Sequence, residues 1–167
     1  GFTMKYFNKF VAAGFAGLGV AAMASSALAT DETGNASAQI QQAISITEDT
    51  AMDFGTVAVD GSGGTVTISA AGAVSGPGGY TFSGSPAAGT FTASGDASTA
   101  VTISFTDGSL TGPGAAMTLT NFTHDAGGTP STDGSGDLTF NVGADLGVNL
   151  NQASGAYSGT YTVTVNY

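Results

Sequence analysis

Gly155-Ala156-Tyr157-Ser158-Gly159-Thr160-Tyr161-Thr162-Val163-Thr164-Val165-Asn166-Tyr167 alternates from Tyr157 onward without an error. Tyr157, Gly159, Tyr161, Val163, Val165 and Tyr167 share one phase, and Ser158, Thr160, Thr162, Thr164 and Asn166 share the other. Successive side chains of a strand point to opposite faces, so the stretch reads as one strand with an apolar face and a polar face. That pattern suits an antiparallel sheet with a core on one side and water on the other. A long, regular strand in this position is also an edge candidate, because edge N–H and C=O groups template association unless they are covered or paired.

Working back along the chain, the period of two recurs in short runs, and no window after residue 29 sustains a period of 3.6. Strands are expected at 44–47, 54–59, 65–70, 80–83, 90–93, 100–105, 117–122, 138–142, 148–150 and 157–167. Between them, Asp60-Gly61-Ser62-Gly63-Gly64, Gly76-Pro77-Gly78-Gly79, Asp107-Gly108 and Gly112-Pro113-Gly114 offer the positive-φ and fixed-φ residues of tight turns. Short strands at this spacing predict an all-β antiparallel fold, a β-sandwich or a barrel.

Composition removes most chemistry. The 167 residues include 12 Asp and Glu, 1 His, no Cys and no Trp, and the only basic residues are Lys5 and Lys9. Positions 10–167 therefore hold no cation to meet phosphate, so neither nucleic acid nor an anionic lipid surface is an expected partner. Schiff-base and Ser-Lys chemistry are excluded with them, as is a lysine isopeptide link between subunits. Without Cys the fold must stand on its core.

Lys5 and Lys9 precede an apolar run at 10–23 that closes on Ala27-Leu28-Ala29, the arrangement of a secretory signal peptide. The expected organisation is a signal peptide at 1–29 (residues 1–3 lying upstream of Met4), an extension at 30–42 and a β-sandwich domain at 43–167. The mature chain is expected to be secreted, through the periplasm to the cell surface or medium, without a membrane segment. Ala36, Ala38, Ile40, Ile44 and Ile46 sit on even positions with Gln42 as the one break, so this stretch has the phase of a strand awaiting a sheet edge. Burying Ile40 is worth about 2 kcal/mol and each Ala less than about 1, so residues up to Gln42 supply about 3 kcal/mol before any ladder bonds.

Catalysis lacks its parts. His124 stands alone, no Gly-x-Ser-x-Gly elbow occurs, and no carboxylate pair stands out, so no enzyme, metal site or cofactor is expected. The longest loop, 123–137, carries His124, Asp125, Pro130, Asp133 and Asp137. Calcium competes there with a solvated turn; Asp133-Gly134-Ser135-Gly136-Asp137 lacks EF-hand spacing and its bidentate Glu, which favours the turn.

Ile44-Ser45-Ile46, Met52-Asp53-Phe54-Gly55-Thr56-Val57 and the closing 155–167 stretch resemble a family of uncharacterised secreted bacterial domains associated with chaperone-usher fimbrial genes. Similar Phe-Gly and Gly-x-Tyr patterns occur in the spore-coat-U-like fimbrial subunits. The resemblance implies an immunoglobulin-like antiparallel β-sandwich that is incomplete and is completed by a donor strand. It implies, too, that a periplasmic chaperone and an outer-membrane usher handle the chain before it forms a homopolymer with itself. On this sequence Ala36, Ala38, Ile40 and Ile44 would donate, and Tyr161, Val163, Val165 and Tyr167 would line the edge met by the chaperone. The chain departs from many fimbrial subunits in having no Cys, and its extension is short. The leading expectation is a structural subunit of an extracellular filament or surface matrix assembled non-covalently by strand donation. A monomeric secreted adhesin or ligand-binding sandwich comes second, and a small outer-membrane β-barrel third.

Overall fold

A computed structural model describes residues 30–167, and the signal-peptide reading of 1–29 lies outside them. The described residues fall into two units, one ending at Ala38 and the other Gln39–Tyr167. Residues 30–44 carry no regular structure, and all but Ile44 are exposed.

The second unit contains ten strands and, among the described residues, no helix. They are β1 (Ser45–Thr50), β2 (Thr56–Ala58), β3 (Gly64–Ile68), β4 (Val74–Ser75), β5 (Thr81–Ser83), β6 (Gly89–Ser94), β7 (Thr102–Thr111), β8 (Met117–His124), β9 (Asp137–Val148) and β10 (Ser158–Asn166). All pairings are antiparallel. The expected antiparallel β-sandwich is the fold observed: one sheet in the order β1-β6-β9-β8-β7-β10 bends round its own core, β3 and β4 branch from β9, and β2-β5 forms a separate ribbon.

β9 is the spine. Its first half pairs with β6 and its second with β3, while β8 runs along its other side. The sequence predicts two strands here, 138–142 and 148–150, split by glycines, and the structure corrects this to a single strand. Gly143 sits where β9 exchanges β6 for β3; a Cβ there would run into the Ile68 carbonyl oxygen and lie 2.7 Å from the Ala70 nitrogen. This glycine is a point of close backbone approach within the strand.

The expected turn at Asp107-Gly108 is likewise corrected, because both residues lie inside β7. Thr160 faces Ser109 and Thr162 faces Thr106, so Asp107 and Gly108 together oppose Tyr161 as a bulge. A Cβ on Gly108 would strike the Thr160 carbonyl, which is why the bulge takes glycine.

Alternation delivers two contiguous cores. One gathers Val66, Ile68, Met117, Leu119, Leu146 and Val148 under the β2-β5 ribbon, whose Val57 and Phe82 pack on it. The other gathers Phe91, Ala93, Val101, Phe140, Val142 and Val165. Met52, Phe122 and Tyr161 touch both.

Candidate functional site

The sheet does not close. β1 pairs only with β6 and β10 only with β7, and these two strands approach each other across a seam with no ladder between them. The outer backbone edge of β10 is thus left without a strand partner. Of the residues expected to line it, Tyr161 and Val163 are half-buried, Val165 is buried and Tyr167 is exposed. Tyr161, Val163 and Val165 point into the core, so the edge presents backbone rather than these side chains.

At the Tyr167 end the seam is held by hydrogen bonds. The Asp96 N–H donates to the Tyr167 hydroxyl at 2.6 Å, and that hydroxyl donates to the Gln42 carbonyl at 3.0 Å. The Gln42 N–H in turn donates to Asp96 Oδ1 at 3.0 Å. Ile44 packs against the second core.

Midway lies Tyr161, stacked on Phe122 at 5.0 Å between ring centres and edge-on to Phe91 at 6.2 Å. Its buried hydroxyl has no hydrogen-bond partner. Desolvation, and then the nearby Glu48 carboxylate, pushes its pKa up to about 12. A Cβ on Gly89 would lie 2.5 Å from that oxygen, so glycine at the start of β6 makes room for the ring.

At the Ser158 end the seam widens into a cavity of about 1060 Å³. Leu110, Met117, Leu146 and Val148 line it with apolar surface, and residues 52–59 form one wall and 151–159 the other. β2 pairs only with β5, so a second free strand edge faces the cavity across from β10. Both walls are braced. The Asp53 carboxylate accepts the Gly55 N–H at 2.7 Å, and the Asp53 backbone bridges Ala87. On the other wall the Tyr157 hydroxyl accepts from Gly114 N at 2.9 Å and Gln152 Nε2 at 2.8 Å and donates to the Ala153 carbonyl at 2.8 Å. Gln152 Nε2 also reaches the Ala115 carbonyl at 2.7 Å. A Cβ on Gly112 would lie 2.6 Å from Tyr157 Cδ1, and one on Gly114 2.6 Å from its hydroxyl, so the Gly112-Pro113-Gly114 turn admits this ring.

The donor candidates separate. Ala36 and Ala38 are exposed in the first unit, and Ile40 is 94% exposed in the second, whereas Ile44 is engaged with its own domain's core. Of the donor set only Ile44 meets the expected edge residues: it lies with Tyr167 beside Gly95 and packs on the core that holds Val165, Tyr161 and Val163.

The 123–137 loop is reshaped. His124 ends β8 and lies half-buried between Phe105 and Phe140 instead of in an exposed loop, with its Nδ1 unpartnered. Asp133 accepts N–H bonds from Asp137 and, next in weight, Ser135, which hold its pKa below the usual 3.8. Desolvation raises the Asp125 pKa, but bonds from the Asn141 backbone and side chain outweigh it and the net shift is downward. Among the described residues no three His, Asp or Glu side chains converge as metal ligands.

A family model described as "Domain of unknown function (DUF4402)" matches residues 44–167, a span that opens at Ile44 and takes in every strand. No curated protein and no solved structure matches the chain.

Proposed function

The chain belongs to the DUF4402 family, and from the open seam of its domain we propose that it is a structural subunit of an extracellular filament or surface matrix. Subunits join non-covalently when an extended segment of one copy adds to the β10 edge of the next. The carrying observation is the free edge of β10 beside a cavity whose opposite wall is the free edge of β2. Unpaired edges of this kind are normally covered. The chain also contains a suitable occupant, since Ala36, Ala38 and Ile40 alternate in an exposed segment free of regular structure. Ile44 is excluded from donation while it packs in its own core. In this reading the protein is exported, non-catalytic and cofactor-free, with a second copy as its main partner and a periplasmic chaperone and outer-membrane usher as transient ones.

A secreted adhesin is the second reading, favoured by the cavity itself. Its volume lies near the 300–1,000 Å³ usual for small-molecule sites, and Asn151, Gln152 and Ser154 place polar groups on its rim. A membrane barrel is disfavoured by the faces. β10 turns Thr160, Thr162 and Thr164 outward and Val165 inward, the reverse of the alternation lipid requires.

Ile40→Asp separates the readings. Because Ile40 is 94% exposed, the variant should keep the wild-type melting temperature. Under the filament reading, wild-type protein sediments as extended assemblies visible by electron microscopy and the variant remains monomeric. Wild-type protein that stays monomeric at high concentration, or a variant that assembles equally well, would sink the proposal.

A further inference from the structure

The Tyr167 end of the seam does more than fasten a loop: we infer that residues 42–44 form a strap that shields the adjoining half of the β10 edge and limits strand addition to the cavity half. The strap stands on geometry alone, while its effect on strand addition rests on the filament reading.

Three residues distant in sequence close one ring. Gln42 spends both backbone groups on it, the N–H on Asp96 Oδ1 and the carbonyl on the Tyr167 hydroxyl, and that hydroxyl accepts the Asp96 N–H. A phenol has one proton and free lone pairs, so donation to Gln42 and acceptance from Asp96 are compatible. Gly95 makes the junction possible: a Cβ there would collide with the Tyr167 hydroxyl and sit 3.4 Å from Ile44 Cγ1. Ile44 then anchors the strap in the core that contains Val165.

The two halves of β10 are therefore unequal as acceptors. Around Ser158 and Gly159 a partner strand meets the cavity. Towards Asn166 it meets β1 and the strap that leads into it, so full pairing requires the ring to open. By linkage, whatever opens the strap extends both the accessible edge and the free N-terminal segment.

Hydrogen exchange on the purified protein tests this, with a synthetic peptide of residues 30–41 as the strand probe. Loss of one such bond shifts opening by about three- to tenfold. Tyr167→Phe should accelerate exchange at 42–46 and at Asp96 by that factor while β8 and β9 stay unchanged. Gly95→Ala should do the same by collision, whereas Asp96→Asn, which retains an Oδ1 acceptor, should stay near wild type. Unchanged exchange at 42–46 in both Tyr167→Phe and Gly95→Ala would overturn the strap. With excess peptide, protection on wild-type β10 should cover Ser158 to Tyr161 and stop, and Tyr167→Phe should extend it towards Val165. Equal protection along all of β10 in both proteins would overturn the limiting role. No protection of β10 in either would count against the filament reading and that role together, leaving the strap itself to the peptide-free comparison.

Discussion

β10 faces β1 at one end of the seam and β2 at the other, and the two ends are built by different means. At the Tyr167 end, β1 and β10 are tied through Gln42, Asp96 and Tyr167, with Ile44 filling the space beneath. At the Ser158 end the walls are braced outward, each onto its own neighbours: Asp53 onto Ala87, and Tyr157 onto the turn at Gly114. The Asn151 N–H donates to the Gly61 carbonyl at 3.0 Å, and beyond that bond the cavity separates the walls. An open groove in a small domain persists when its walls are satisfied locally, since unsatisfied walls would collapse onto one another to bury their apolar floor.

This contrast can be broken from below, from the side and from the middle. The largest effect is expected from Leu146→Ala. Leu146 is 3% exposed and belongs both to the first core and to the cavity lining, so its loss should cost about 2–5 kcal/mol in denaturant unfolding. A cost well under that range would mean the open end relaxes freely and its walls are not rigid.

Gly55→Ala attacks the β2 wall. Gly55 holds φ at +69° and a Cβ would lie 2.6 Å from the Ser83 carbonyl oxygen, so alanine should force β2 from β5 at about 1–3 kcal/mol. Faster amide exchange confined to the β2-β5 ribbon would locate the damage. An unchanged melting temperature would show that the ribbon contributes nothing to the open end.

The smallest effect belongs to Tyr161→Phe, where the seam passes from tied to open. Removing a buried hydroxyl that has no partner should be neutral or stabilising by up to about 1 kcal/mol. The pH dependence is more telling. The native pKa, about 12, lies above the ordinary 10.0, so the stability linked to this proton is complete below about pH 10 and is lost as pH rises towards 12. The phenylalanine variant should lack that share of alkaline destabilisation in melts taken across pH 9–12. Identical wild-type and variant profiles would mean that the hydroxyl is hydrated.

Much of this was legible in the chain. The closing strand ran over nearly its expected length because its alternation matches a sheet with one wet face, and Val165 is indeed buried where Asn166 is exposed. Glycines misled where they served close approach instead of turning. Gly143 in β9 and Gly108 in β7 both lie inside strands, since a missing Cβ answers a nearby backbone as readily as it permits a positive φ. His124 read as a loop residue because Phe105 and Phe140, its ring neighbours, are distant in sequence. Tyr157 and Gln152 carried no signal of their roles, which depend on the turn at 112–116 coming alongside.

What the sequence determined by itself is local and repetitive. Period-two alternation and turn residues dictate strands and their inward faces, and the want of Lys and Arg after Lys9 leaves positions 10–167 acidic. Only the tertiary structure decided where the sheet stops short of closing, because that depends on which two edges come to face each other after six strands have accumulated their twist around the core. The unpaired β10 edge, the cavity at one end and the Gln42–Asp96–Tyr167 ring at the other follow from that meeting of remote segments, for which no spacing along the chain is a sign.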